Sequence, residues 1–151
     1  VGHCLNVPMF AMRRFALLLG FSLLGCNSRP PPATHRVELR QSDDLLELLP
    51  KEGNLPYCLV YSIAERGTIR QLTMNEANES FECPAGVAIA QTAFRIPKKE
   101  GKARIYVIFS DQKLAAATVA QQINDLGTPN FSMLDLRVPG KAVSDIIEYT
   151  P

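Results

Sequence analysis

No tryptophan occurs in the 151 residues, and histidine appears twice, as His3 and His35. A catalytic or metal site built on imidazole would have almost nothing to draw on. The GxSxG nucleophile elbow, the HExxH zinc motif, the glycine-rich phosphate loop and the C-x-x-C pair are all missing. These gaps point to a non-catalytic protein with no cofactor and no metal. An excess of one charge sign is lacking too, since sixteen basic residues face fifteen acidic ones. Without a general basic field, nucleic acid is excluded as a partner. No apolar run is long enough to span a bilayer; the longest, Phe15 to Leu24, is about half of the ~20 residues required.

That short run is informative because of its flanks. Arg13-Arg14 precede it and Gly25-Cys26 follow it, the charge-apolar-small order of a secretion signal. The ending Leu23-Leu24-Gly25-Cys26 resembles the bacterial lipobox. In that family the cysteine becomes the acylated first residue of the mature protein. The resemblance implies lipidation at Cys26, a mature chain of 26–151, and attachment to the membrane through an N-terminal lipid. Several acyl chains hold a protein stably where one does not. Asn27 after the cysteine resembles lipoproteins sent on to the outer membrane, so the expected location is its periplasmic face. Met12 stands directly before the arginines, which makes it the expected start, with residues 1–11 outside the signal. Thus 1–25 are expected to be removed, and 26–34 to form an acylated tether. Pro30-Pro31-Pro32 favours extended polyproline II in that tether. One domain, 35–151, remains.

Of the four cysteines, Cys4 precedes the expected start and Cys26 is taken by lipid. Cys58 and Cys83 are left in an oxidising compartment, where a disulfide persists. Its formation requires Cα atoms within about 7 Å.

Hydrophobic alternation predicts a mainly β domain. Val37 and Leu39 alternate with Arg36, Glu38 and Arg40 in a first strand. Ser42, Asp43 and Asp44 read as the cap and first turn of a short helix ending before Pro50. Tyr57–Ala64 is apolar on both faces, as a central strand is. Thr68–Thr73 returns as a weaker strand after Glu65-Arg66-Gly67, and 74–82 reads as a solvated acidic loop. In 87–96 the apolar parity shifts between Ile89 and Phe94, which predicts a bulged strand. This strand is expected to form a hairpin with 103–110. A helix is expected near 112–126, capped by Asp111 and stopped by Gly127. Leu134, Leu136 and Val138 share a strand face, and 143–149 is the last strand. About seven strands and one real helix make a β-sandwich with an inserted helix the expected packing, in the immunoglobulin-like form that the family resemblance below implies.

Two motifs carry possible chemistry. Ser110-Asp111-Gln112-Lys113 matches the S-x-x-K pattern of penicillin-binding serine enzymes, but neither S-D-N nor K-T-G follows it. Arg95, Lys98, Lys99, Lys102 and Arg104 concentrate positive charge around one loop. A solvated turn accounts for such a cluster; the functional reading is a contact with an acidic partner or lipid phosphate, since clustered ammonium and guanidinium groups bind anions. The order of lipobox, proline spacer, strands and Ile105–Asp111 resembles the outer-membrane lipoprotein of type VI secretion systems. That family is a small immunoglobulin-like sandwich that recruits an inner-membrane protein through exposed loops. The resemblance implies a non-catalytic envelope module with a protein partner. An envelope serine hydrolase and a carrier of a small apolar ligand between sheet and helix are the alternatives.

Overall fold

Alternating side chains sort this chain into two antiparallel sheets and one helix, seen in a computed structural model that describes residues 35–151. Cys26 and the proline tether lie outside the described residues. The strands are β1 (Val37–Ser42), β2 (Leu45–Pro50), β3 (Tyr57–Ala64), β4 (Ile69–Gln71), β5 (Phe81–Glu82), β6 (Phe94–Arg95), β7 (Ala103–Ser110) and β8 (Ala142–Tyr149). One sheet has the order β1-β2-β6. The other has β4-β3-β7-β8, with β5 also pairing along β3. Helix α1 spans Ala116–Leu126.

Strand β3 is central, as its two apolar faces require. It pairs with β7 over its full length, from Tyr57↔Ser110 to Ala64↔Ala103. Its two faces serve two cores. Cys58 and Val60, with Ile105, Val107 and Phe109 of β7, meet Val37, Leu46 and Leu48 of the smaller sheet. Leu59, Tyr61 and Ile63, with Tyr106 and Ile108, meet Val119 and Ile123 of α1 and Phe131 and Leu136 beyond it. The domain is therefore a β-sandwich with a helical layer over the outer face of its larger sheet.

Polar tips inside the helical layer are satisfied. The Tyr61 hydroxyl donates to the Ala116 carbonyl at 2.9 Å, and burial pushes its phenol pKa above the ordinary tyrosine value. Tyr106 donates to the Pro129 carbonyl at 2.8 Å and stacks on Phe131 with ring centroids 4.2 Å apart. Both bonds tie the β7–β8 connection down onto the sheet.

Five sequence expectations need correction. The expected helix after Ser42 is strand β2, joined to β1 by a two-residue turn in which Asp43 has φ 54°. The expected strand 87–96 retains β structure only at Phe94–Arg95; Ile89–Gln91 form a 3₁₀ turn with Ala90 and Gln91 at positive φ. That segment makes no hairpin with β7, because β6 pairs with β2 in the opposite sheet. The helix begins at Ala116, not 112, and Asp111 does not cap it. Instead Asp111 joins the ends of β7 and β8: its Oδ1 accepts from Lys141 N at 2.8 Å, and its N–H donates to the Lys141 carbonyl at 3.0 Å. Finally, Met133–Asp135 is a 3₁₀ turn rather than part of a strand.

The Asp111–Lys141 junction demands a glycine beside it. Gly140 has φ 69°, and a Cβ there would collide with Asp111 Oδ1 and approach Gln112 Nε2 to 2.9 Å. Gly140→Ala is expected to destabilise by about 2 kcal/mol, from left-handed backbone strain plus the disturbed hydrogen bond. Urea unfolding checks this; a loss below about 0.5 kcal/mol would mean that the junction yields freely.

Candidate functional site

The basic residues read from the sequence divide into two groups. Arg95 Nε lies 3.0 Å from Asp44 Oδ2, and Arg104 Nη2 lies 3.4 Å from Glu148 Oε1. Those two are neutralised by an acid of the β1–β2 turn and an acid of β8. Lys98, Lys99 and Lys102 are exposed and have no ion pair among the described residues. Lys98 and Lys99 occupy a 3₁₀ turn, Lys98–Glu100, between Pro97 and Gly101.

Glu100 explains why the two lysines project outward. Its side chain is turned inward, 6% exposed, and Oε1 pairs with the Arg70 guanidinium. That hydrogen bond, and then the carboxylate charge, raise the Arg70 pKa. With three residues per 3₁₀ turn, one inward residue leaves its neighbours facing solvent. Arg70 stands opposite Ser62 in the β3–β4 register. Ser62 Oγ and Glu100 Oε2 are buried without a hydrogen-bond partner, positions at which proteins place ordered water.

Beside this turn an open cleft of about 600 Å³ is lined by Glu65, Lys102, Arg104, Asn130 and Glu148, among others. Both charge signs line it.

Ser110 and Lys113 are not brought together as a nucleophile and its base. Ser110 is fully buried, and its hydroxyl donates to the Gln112 carbonyl at 2.7 Å. The Lys113 ammonium instead lies 3.7 Å from Glu79 Oε2. Segment 78–80 is bound to 114–116 by three backbone or side-chain hydrogen bonds: Ser80 N to Leu114 O, Leu114 N to Ser80 Oγ, and Ala116 N to Asn78 O. The S-x-x-K residues therefore build the entry to α1.

Cys58 and Cys83 sit at disulfide distance, Cα to Cα 5.9 Å, within the required limit. His35 Nδ1 lies 3.0 Å from Asp145 Oδ1, and Val37 N–H donates to Asp145 Oδ2 at 2.9 Å. A buried carboxylate on β8 thus fastens the start of the domain across the sandwich.

Leu134 was hidden in the sequence. Its side chain is 95% exposed, although its backbone is held firmly. Ser132 Oγ accepts from Leu134 N at 3.2 Å, and Asp135 Oδ2 accepts from Ser132 N at 2.7 Å. Gln122 of α1 then grips Arg137, accepting from its N–H at 2.6 Å and donating to its carbonyl at 3.1 Å. The spacing Ser132-x-x-Asp135 is a capping box, the one sequence signal for this turn. No protein-family model, no curated protein and no solved structure matches this chain.

Proposed function

We propose that the chain is a non-catalytic binding or assembly module of the bacterial cell envelope, lipid-anchored at Cys26 and docking a protein partner. The observation that carries this reading is Leu134. A leucine left almost wholly in water costs solubility, and this one is held there by a capping box and a two-way glutamine clamp. Interfaces use such preorganised apolar side chains, because little conformational entropy is lost when the partner covers them. Leu126 and Ile146, both more than one-third exposed, lie on the same helical side of the larger sheet.

The strand order supports an immunoglobulin-like form of the sandwich. Reading β1, β2 and β6 as A, B and E, and β4, β3, β7 and β8 as C′, C, F and G, gives the immunoglobulin neighbours in both sheets. The D strand has no counterpart among the described residues, and α1 is inserted before the last strand. This agrees with the resemblance to type VI secretion lipoproteins, which present loops from such a sandwich. The buried hydroxyl of Ser110 weighs against the hydrolase alternative. Tyr61, Tyr106, Ile108 and Ile123 fill the layer between sheet and helix, which weighs against a carrier of a ligand placed there.

A photocrosslinking residue at position 134, in cells, is expected to capture one discrete protein in the membrane fraction. Leu134→Asp is expected to abolish its co-purification while changing stability by no more than about 0.5 kcal/mol. Undiminished co-purification of the same protein with Leu134→Asp would remove this surface from the proposal.

A further inference from the structure

The two ends of the sandwich differ in position along the chain. Val37, Pro50, Tyr57, Ser110 and Ala142 mark the end at which the domain begins. Ser42, Leu45 and Arg95 in one sheet, with Ala64, Ala103 and Tyr149 in the other, mark the opposite end. Among the described residues four cations without an ion pair lie in turns at that far end, while Arg36, Lys51 and Lys141 are spread over the other. Lys98 and Lys99 lie in the turn from β6 to β7, Lys102 immediately before β7, and Arg66 in the turn after β3. The Glu65 N–H donates to the Lys102 carbonyl at 3.0 Å, which seats the Arg66 turn beside Lys102. The other three cations here, Arg70, Arg95 and Arg104, are already matched by Glu100, Asp44 and Glu148. In the strand-connecting turns at this end, the exposed acids without an ion pair among the described residues are Asp43 and Glu65.

We propose that this far-end turn is a docking site for an acidic segment of a protein, with Lys98, Lys99, Lys102 and Arg66 as its contacts and Glu100 as the positioning residue. The inference rests on the partner-binding reading above and gives that partner a chemistry. Glu100 is the unusual element. A solvated basic loop needs no buried carboxylate, yet here one stands next to Lys99 in the same turn, held by Arg70. The arrangement anchors the backbone turn from which Lys98 and Lys99 project, at the cost of local positive charge. Preorganised charges gain affinity and orientation that a flexible loop of equal charge does not. A bilayer surface is the poorer occupant, because these cations stand at the opposite end of the sandwich from His35, where the domain begins.

The test uses the full chain, extracted from membranes in a nonionic detergent, with a fluorescent oligoglutamate peptide as probe. Binding is expected at low salt and should weaken steeply as salt rises. Lys98→Glu, Lys99→Glu and Lys102→Glu combined should weaken it at least about tenfold, while Lys141→Glu at the other end should change it less than about twofold. Glu100→Gln decides whether geometry matters. Net attraction alone predicts tighter binding for that more positive variant, whereas an oriented site predicts weaker binding. Equal or tighter binding by Glu100→Gln would overturn the proposal. So would phosphatidylglycerol vesicles that bind the chain and are lost with the triple variant while oligoglutamate is not bound. Crosslinking at position 134 reads the partner-binding proposal separately, so either can fail with the other intact.

Discussion

Replacing both Cys58 and Cys83 with alanine is expected to lower the unfolding free energy by about 3–4 kcal/mol. The two residues are separated by 25 positions, and their bond removes much of the freedom of the unfolded segment between them. Cys58 lies in the middle of the sandwich core, fully buried, and Cys83 follows β5 with 4% exposure. The Cys83 N–H also donates to the Pro56 carbonyl at 2.8 Å, so the bond closes onto a backbone already in place. It restrains 74–80, whose exposed Met74, Asn75, Glu76, Ala77 and Asn78 supply little apolar burial to order them. Urea unfolding of the wild type with and without reductant should show the same loss as the double variant. Reductant should leave the double variant unchanged. A loss below about 1 kcal/mol would mean that the unfolded chain is already compact across this segment.

Strands with a clear alternation or a short apolar run were legible in the sequence. β1 follows from the alternation at Val37 and Leu39, and β3 and β7 from apolar runs of eight residues bounded by turn signals, as strands buried on both faces are. The sandwich-plus-helix class followed from their number. Pairing was less legible, since it depends on long-range partners. Nothing local says that Phe94–Arg95 joins Leu45–Leu46 across the molecule instead of folding back on β7. The anionic-contact residues were found as a group, but their division was not. Asp44 and Glu148, which neutralise Arg95 and Arg104, are distant in sequence and reach them only through sheet register. Nothing local to Glu100, adjacent to Lys99, signals burial; the pairing with Arg70, thirty residues away, places it inside.

The least legible element was β2, and the reason is local. Ser42-Asp43-Asp44 is a good N-cap with acids in the first turn, Leu45, Leu48 and Leu49 fit helical spacing, and Pro50 fits a helix stop. Two features outweigh that pattern. Asp43 tolerates the left-handed backbone that a two-residue turn needs, since a short polar side chain can bond locally. Pairing with β1 then satisfies the backbone from Ser42↔Leu45 to Val37↔Pro50, which an isolated one-and-a-half-turn helix would do poorly.

Leu48→Ala is accordingly expected to be among the costliest single substitutions, destabilising by about 2–5 kcal/mol. Leu46 and Leu48 are fully buried and point from β2 into the space between the sheets, against Cys58, Val60, Val107 and Phe109. Removing the isobutyl group forfeits its transfer energy and leaves a cavity that two hydrogen-bonded sheets cannot collapse around. The pattern across neighbours separates strand from helix. Period two predicts large losses for Leu46→Ala and Leu48→Ala and a loss under about 1 kcal/mol for Leu45→Ala, because Leu45 is 38% exposed. A helix with Leu45, Leu48 and Leu49 inward would make Leu45→Ala costly and spare Leu46. Chemical unfolding of the three variants decides between them: a Leu45→Ala loss equal to that of Leu48→Ala, with Leu46→Ala mild, would contradict the β1–β2 hairpin and the smaller sheet built on it.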